Sequence, residues 1–184
     1  MLVAFCHEQV KALANKTGET AHLAMREGKQ ALLIDHHAVS HQILVVSGQT
    51  AEFMPHDCGA HGKALLGDCG IVELRAIFGD SRFQAYTPRT IVSIEKMAQA
   101  CAKIKADGVE DDDREYVENV RCTAAPTRDN DGTVVTAIGI SAPLTRSPRQ
   151  REAVLARQLS AAASEASAVL SAEGQQSHLR SRGA

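Results

Sequence analysis

The chain contains no tryptophan, two tyrosines and four phenylalanines in 184 residues, too few flat rings for a surface that stacks nucleic-acid bases. Charge of one sign is also scarce. Twenty Lys and Arg against 22 Asp and Glu leave a net charge of −2, so no basic footprint for DNA spreads over the chain. Apolar runs are short: ALLI (31–34) and ILVV (43–46) cannot span a bilayer. The opening MLVA passes straight into FCHE, without the basic start, apolar stretch and cleavage site of a secretory signal. A cytoplasmic protein with no membrane contact is expected. The five cysteines (Cys6, Cys58, Cys69, Cys101, Cys122) are odd in number and form no C-x-x-C pair. That pattern argues against a disulfide framework and against a zinc ribbon.

What is present suits one sizeable soluble domain: 44% hydrophobic and 23% charged residues, no internal repeat and no Pro- or Gly-rich linker. Residues 2–15 space Leu2, Phe5, Cys6, Val10 and Leu13 as one helix face, closed by Asn15–Gly18. Residues 19–37 read as a strand pair turning at Arg26–Lys29. Thr20, His22 and Ala24 fall on one side of its first strand, with Ala21, Leu23 and Met25 on the other. A further strand is expected at 41–47. Residues 62–78 read as two short helices broken near Gly67–Gly70. Thr90 is placed as the cap of a helix carrying Ile91, Ile94, Met97, Ala98, Cys101 and Ile104, closed by Lys105–Gly108. An acidic loop, EDDDRE (110–115), follows. The last helix starts with Ser147 as cap and Pro148 in first position, with Leu155, Leu159, Ala162, Ala166, Val169 and Leu170 in line. After Gly174 the tail is expected to be disordered. Short turns between neighbouring strands imply an antiparallel sheet with segregated helices, an α+β domain.

NVRCTAAPTRDNDGTVVTAIGIS (119–141) is a hairpin around Asp129–Gly132. A four-residue loop sets Arg128 across from Thr133, Cys122 opposite Gly139, Ala124 opposite Ala137 and Val120 opposite Ser141. One face then holds Cys122, Ala124, Pro126, Val135, Ala137, Gly139 and Ser141. The other holds Arg121, Thr123, Ala125, Thr127, Val134, Thr136, Ile138 and Ile140. The first face is nearly all small, and close packing demands that something fill the space above it. A tightly packed helix does so; so does the floor of a small-molecule pocket. Alternation alone leaves both open.

The segment 107–146, with its acidic residues, Tyr116, VRC, AAP, turn and ISAP, resembles the closing part of the effector-binding domain of IclR-type transcriptional regulators. PHDCGAHGKALLG (55–67) is similar to the same family's block before Gly-Lys-Ala. The resemblance covers about residues 2–172. It implies a GAF-like antiparallel sheet with long N- and C-terminal helices, binding a small organic or aromatic acid, in a homodimer or homotetramer. It divides the chain into a linker helix (1–18), an effector-binding domain (19–174) and the tail (175–184). It also implies a winged helix-turn-helix ahead of this domain as the only DNA contact, absent from this chain, which opens on the linker helix.

Carried over residue by residue, the resemblance assigns ligand contacts to Ala60 and His61, whose backbone amides would face a carboxylate, and to Asp112, Cys122, Gly139 and Ser141. Met54 is assigned to an apolar wall, to which Ile43 or Leu44 adds. The sequence departs from the pattern at Asp57 (usually His), Gly139 (often a hydroxyl), Asn119 and Ala142 (usually Gly) and His61 (commonly apolar). A carboxylate at Asp112 is in tension with an anionic ligand. No catalytic residue, no cofactor and no metal is expected. A nucleophilic Cys122 would need a His or a second thiol beside it, Cys58 being the candidate for a redox enzyme. The histidines around Asp35–His41 and His56–His61 are expected to be solvated loop residues rather than zinc ligands. A ligand-free oligomerisation module is the other alternative.

Overall fold

The structure is a computed structural model and describes residues 2–39, 50–79 and 82–182. The strand expected at 41–47 and the wall positions Ile43 and Leu44 lie outside the described residues. Eleven elements follow in order among the described residues: α1 (Leu2–Thr17), β1 (Thr20–Glu27), β2 (Gln30–His37), β3 (Phe53–Pro55), α2 (Ala60–Leu65), α3 (Ile71–Phe78), α4 (Ile94–Asp107), β4 (Glu110–Asp113), β5 (Val120–Arg128), β6 (Val134–Pro143) and α5 (Arg149–Arg182). The six strands form one antiparallel sheet in the order β3-β2-β1-β6-β5-β4. This is the expected α+β arrangement, with helices on both faces.

Period-two alternation distributes side chains between the two faces. Ala21, Leu23, Ala125, Ile138 and Ile140 meet Cys6, Val10 and Leu13 of α1 and Leu155, Leu159, Ala162 and Ala166 of α5 in one buried cluster. Burying one such leucine, Leu159, is worth roughly 1.5–3 kcal/mol. The opposite face contributes Ala24, Leu33, Ala124 and Ala137 to a second cluster with Ala60, Ala64 and Leu65 of α2. A third cluster, with Leu66, Leu74, Ile94, Met97 and Cys101, joins α3 and α4 beyond α2.

Four local expectations change. The acidic stretch is not a loop: Glu110–Asp113 is strand β4, hydrogen-bonded along β5, and Glu110 and Asp112 are buried. Thr90 does not cap α4. Ser93 does, its hydroxyl accepting from Lys96 N, while Thr90 Oγ1 accepts from Tyr86 and Thr87 N and donates to the Glu115 carbonyl. The hairpin register is displaced by two residues: Cys122 faces Ser141, Ala124 faces Gly139 and Val120 faces Pro143. The turn supplies one residue of the shift, since Arg128 pairs with Val134 rather than Thr133, and a bulge beside Thr127–Arg128 supplies the other. The same bulge exchanges two valines, so that Val134 packs with the α2 cluster and Val135 with the α1–α5 cluster. Lastly, α5 continues past Gly174 to Arg182, beyond the point where the tail was expected to begin. A single helical glycine costs only about 1 kcal/mol relative to alanine.

Gly62 marks how tightly α2 is seated. A Cβ there would lie 2.6 Å from the His56 carbonyl oxygen and 2.8 Å from its Cα. Backbone on both sides cannot yield cheaply, so Gly62→Ala is expected to cost about 1–3 kcal/mol by overpacking. Chemical denaturation checks this, and an unchanged midpoint would contradict the close approach.

Candidate effector pocket

Cross-strand pairing arranges the small face in rows. Asp112 of β4 faces Cys122 of β5, which faces Ser141 of β6. In the next row Glu110, Ala124, Gly139 and His22 follow one another from β4 to β1. Above these rows lies α2, and between them is a cavity of about 30 Å³. Its lining comprises His22, Leu33, Met54, Gly59, Ala60, His61, Asp112, Tyr116, Val117, Val120, Cys122 and Ser141. The two readings of the small face therefore divide it between them. Ala124 and Ala137 are covered by the helix, and Cys122 and Ser141 border the cavity.

Six of the seven residues singled out from the sequence line this cavity: Met54, Ala60, His61, Asp112, Cys122 and Ser141. Gly139 does not. A Cβ on Gly139 would stand 2.6 Å from His61 Nε2 and 2.7 Å from the Thr123 carbonyl oxygen. The imidazole of His61 thus rests where a side chain at position 139 would project. The two departures from the family pattern, a glycine for a hydroxyl and an imidazole for an apolar group, are one packing arrangement.

His22, Leu33, Gly59, Tyr116, Val117 and Val120 were not singled out. Alternation put His22 on the Ala24 side of β1, but no sequence signal showed that β1 pairs with β6 and brings His22 opposite Gly139. Tyr116 was legible, as the aromatic of the family pattern. Its ring meets Tyr86 edge-on at 5.0 Å.

Several wall groups are buried polar side chains. The His22 and His61 rings stand 5.6 Å apart, edge to face. Desolvation lowers both, His22 to about 3, with His61 and His36 adding, and His61 to about 4, partly offset by a hydrogen bond to the His22 backbone. His61 Nε2 and both His22 nitrogens have no protein partner. Such unpaired groups cost about 1–3 kcal/mol each. Burial likewise raises Asp112 to about 6, against the donation from Glu115 N to its Oδ1 at 2.5 Å. Cys122 Sγ lies 3.1 Å from Ser141 Oγ, and burial pushes the thiol up to about 12. Cys58 is also driven up by burial. Neither thiol is poised as a thiolate nucleophile.

The expectation of solvated loop histidines fails at His56 and His61, which are buried, His56 Nδ1 lying 3.3 Å from the Gly62 carbonyl. Among the described residues no group of three His, Cys, Asp or Glu is arranged to hold a metal ion, and no helix is long and apolar enough to cross a membrane. Glu110 is not a solvated acid either. It and Glu115 (2.6 Å) grip the Nζ of buried Lys63, which also donates to the Asp111 carbonyl.

Comparison with known proteins gives consistent findings. Residues 2–168 match the family described as Bacterial transcriptional regulator IclR C-terminal. The chain is 31% identical over 137 residues to the HTH-type transcriptional repressor AllR of Klebsiella pneumoniae, covering 74% of this chain and 50% of that protein. It is 27% identical over 135 residues to the HTH-type transcriptional regulator XynR of Escherichia coli, covering 73% and 53%. The chain thus spans about half the length of the curated relatives it matches. Among solved structures, the C-terminal domain of the E. coli transcriptional regulator KdgR superposes with a TM-score of 0.80 at 26% identity, covering 92% of this chain and 98% of that one.

The contact between His61 and Gly139 can be measured. Gly139→Ala is expected to destabilise the fold by about 1–3 kcal/mol. Combined with His61→Ala, part of that cost is recovered and the Thr123 carbonyl retains the rest, so a denaturation double-mutant cycle gives a clear coupling energy. Strictly additive costs would show that the two positions do not touch.

Proposed function

The chain belongs to the IclR family of bacterial transcriptional regulators, as a regulatory domain and not an enzyme, and from that premise we propose that the cavity beneath α2 binds a small organic effector. Occupancy in turn controls DNA binding by a winged helix-turn-helix domain of the intact, homo-oligomeric, cytoplasmic regulator. One observation carries the reading: residues from two separate sequence motifs, Ala60 and His61 in one and Asp112, Cys122 and Ser141 in the other, converge on one cavity. The expected effector class is a small organic or aromatic acid.

A route for the signal is built into β5. Cys122 borders the cavity, and its neighbour Arg121 points to the other face of the sheet. There Arg121 donates to Asp113 at 2.7 Å, to the Ser147 carbonyl at 3.1 Å and to Glu152 of α5. Arg146 and Arg151 close the circuit by pairing with buried Glu19, and Arg151 also donates to the Thr17 carbonyl at the end of α1. A displacement of β5 on ligand binding is thereby felt at the base of both long helices. Ligand control of this kind requires only that the effector bind the two arrangements with different affinity.

The width of the cavity favours a second reading. About 30 Å³ holds one or two waters, so an organic acid enters only if α2 or the Tyr116–Val117 turn shifts. A ligand-free oligomerisation module needs no such shift.

Thermal shift against a panel of small organic and aromatic acids separates the two. A ligand at a hundred times its dissociation constant stabilises by about 2.7 kcal/mol, and Ser141→Leu, which fills the cavity, is expected to abolish that gain. A panel without any stabilising compound leaves the oligomerisation module as the surviving reading, and a hit indifferent to Ser141→Leu overturns this cavity as the effector site.

A further inference from the structure

An effector larger than a water or two requires one wall of the cavity to move, and the walls differ in how firmly they are held. All six residues of α2 are buried, Gly62 lies against the His56 backbone, and Lys63 is clamped by two carboxylates. Asp112, Cys122 and Ser141 belong to paired strands. The turn between β4 and β5 is different. Among the described lining residues Val117 alone is exposed, at 41%, and Tyr116 beside it is half-buried. This turn has the cavity on one side and solvent on the other. It also begins on a strained residue: Arg114 has a φ of +69°, a left-handed conformation that persists in a non-glycine residue only where its surroundings enforce it.

The enforcing contacts come from residues 86–90, in the connection between α3 and α4. The backbone amides of Tyr86 and Thr87 donate to Thr90 Oγ1 at 3.0 and 2.9 Å, and that of Arg89 donates to Thr87 Oγ1 at 3.1 Å. With lone pairs engaged in this way, the two buried hydroxyls aim their protons at the turn. Thr87 donates to the Arg114 carbonyl at 2.8 Å and Thr90 to the Glu115 carbonyl at 2.6 Å. Tyr86, from the same segment, meets the Tyr116 ring edge-on. The Glu115 carbonyl is the pivotal acceptor. Tyr116 cannot swing about the bond between the Glu115 Cα and its carbonyl carbon without turning that oxygen away from Thr90. The Glu115 side chain can stay on Lys63 through such a rotation. At the far end the Asn119 carbonyl accepts from Leu144 N at 3.1 Å, so residues 116–118 form a short span between two held ends.

Resting on the reading of the cavity as the effector site, we infer that residues 116–118 are its door and that residues 86–90 are the clasp that keeps the door shut. An effector enters when the bond from Thr90 to the Glu115 carbonyl breaks and Tyr116 swings outward, while α2 and the sheet stay where they are. An occupant too wide for the closed cavity then holds the clasp off, so the connection between α3 and α4 senses that the site is full.

The cavity thiol of Cys122 reports door opening without any ligand. Methyl methanethiosulfonate is uncharged and too large for the closed cavity of about 30 Å³. It passes its methylthio group to a thiolate sulfur and releases methanesulfinate. Labelling at about pH 8 is followed for each cysteine by peptide mass spectrometry. Cys122 is read against Cys6, which is buried on the opposite face of the sheet with α1 and α5. At fixed pH the Cys122 rate follows the fraction of time the door is open. Thr90→Val is expected to raise that rate about tenfold relative to Cys6, the weight of one hydrogen bond, whereas Thr90→Ser, which keeps the hydroxyl, stays within about twofold. Tyr116→Ala removes the leaf of the door, so Cys122 reacts fast and adding Thr90→Val speeds it no further. A Cys122 rate unmoved by Thr90→Val, one that rises only in step with Cys6, or a Thr90→Val effect that persists in full on Tyr116→Ala overturns the inference. None of these outcomes involves a ligand. A silent acid panel beside clasp-dependent labelling overturns the effector reading and not the door.

Discussion

A single buried ammonium holds the pocket side of this domain together. Lys63 is 1% exposed, projects from the only helix seated on the small face of the sheet among the described residues, and is gripped by Glu110 at the edge strand and Glu115 in the following turn. An unpaired buried charge costs several kcal/mol, so α2, β4 and the turn carrying Tyr116 are obliged to keep their mutual positions. Coulombic attraction and hydrogen bonding to the two carboxylates outweigh burial and hold Lys63 above the ordinary lysine range. Asp112 lies between those two glutamates in sequence and accepts from the Glu115 amide. The cavity wall and the clamp therefore share one backbone segment.

The clamp also accounts for what was misjudged in the acidic stretch. Four acids in a row ordinarily stay solvated, and Glu110–Asp113 read as a loop for that reason. Strand pairing with β5 turns Glu110 and Asp112 inward, Glu110 towards Lys63 and Asp112 towards the cavity, while Asp111 accepts from Thr123 and Asp113 from Arg121. Nothing in the local sequence announces a lysine 47 positions away as the partner. Pairing of that kind is tertiary information.

Other features were legible, because the rules that govern them are local. Alternation assigned nearly all of the β5–β6 hairpin to the correct face even with the register wrong. A slip of two residues preserves parity, so Cys122, Ala124, Gly139 and Ser141 stayed together although each was given the wrong partner. The bulge at Thr127–Arg128 broke parity only at Val134 and Val135. Helix periodicity likewise located the α1 and α5 contacts, whose buried residues Cys6, Val10, Leu155 and Leu159 share one cluster. His22 escaped notice because its neighbour across the sheet is 117 residues later in the chain.

The packing of His61 over Gly139 carries a consequence for how this wall can be altered. A side chain placed at position 139 would meet His61 Nε2 at 2.6 Å and the Thr123 carbonyl oxygen at 2.7 Å. Turning the imidazole away relieves the first contact but not the second, because the second is with backbone. The polarity of the cavity is therefore tied, through His61, to a strand position that does not itself line it.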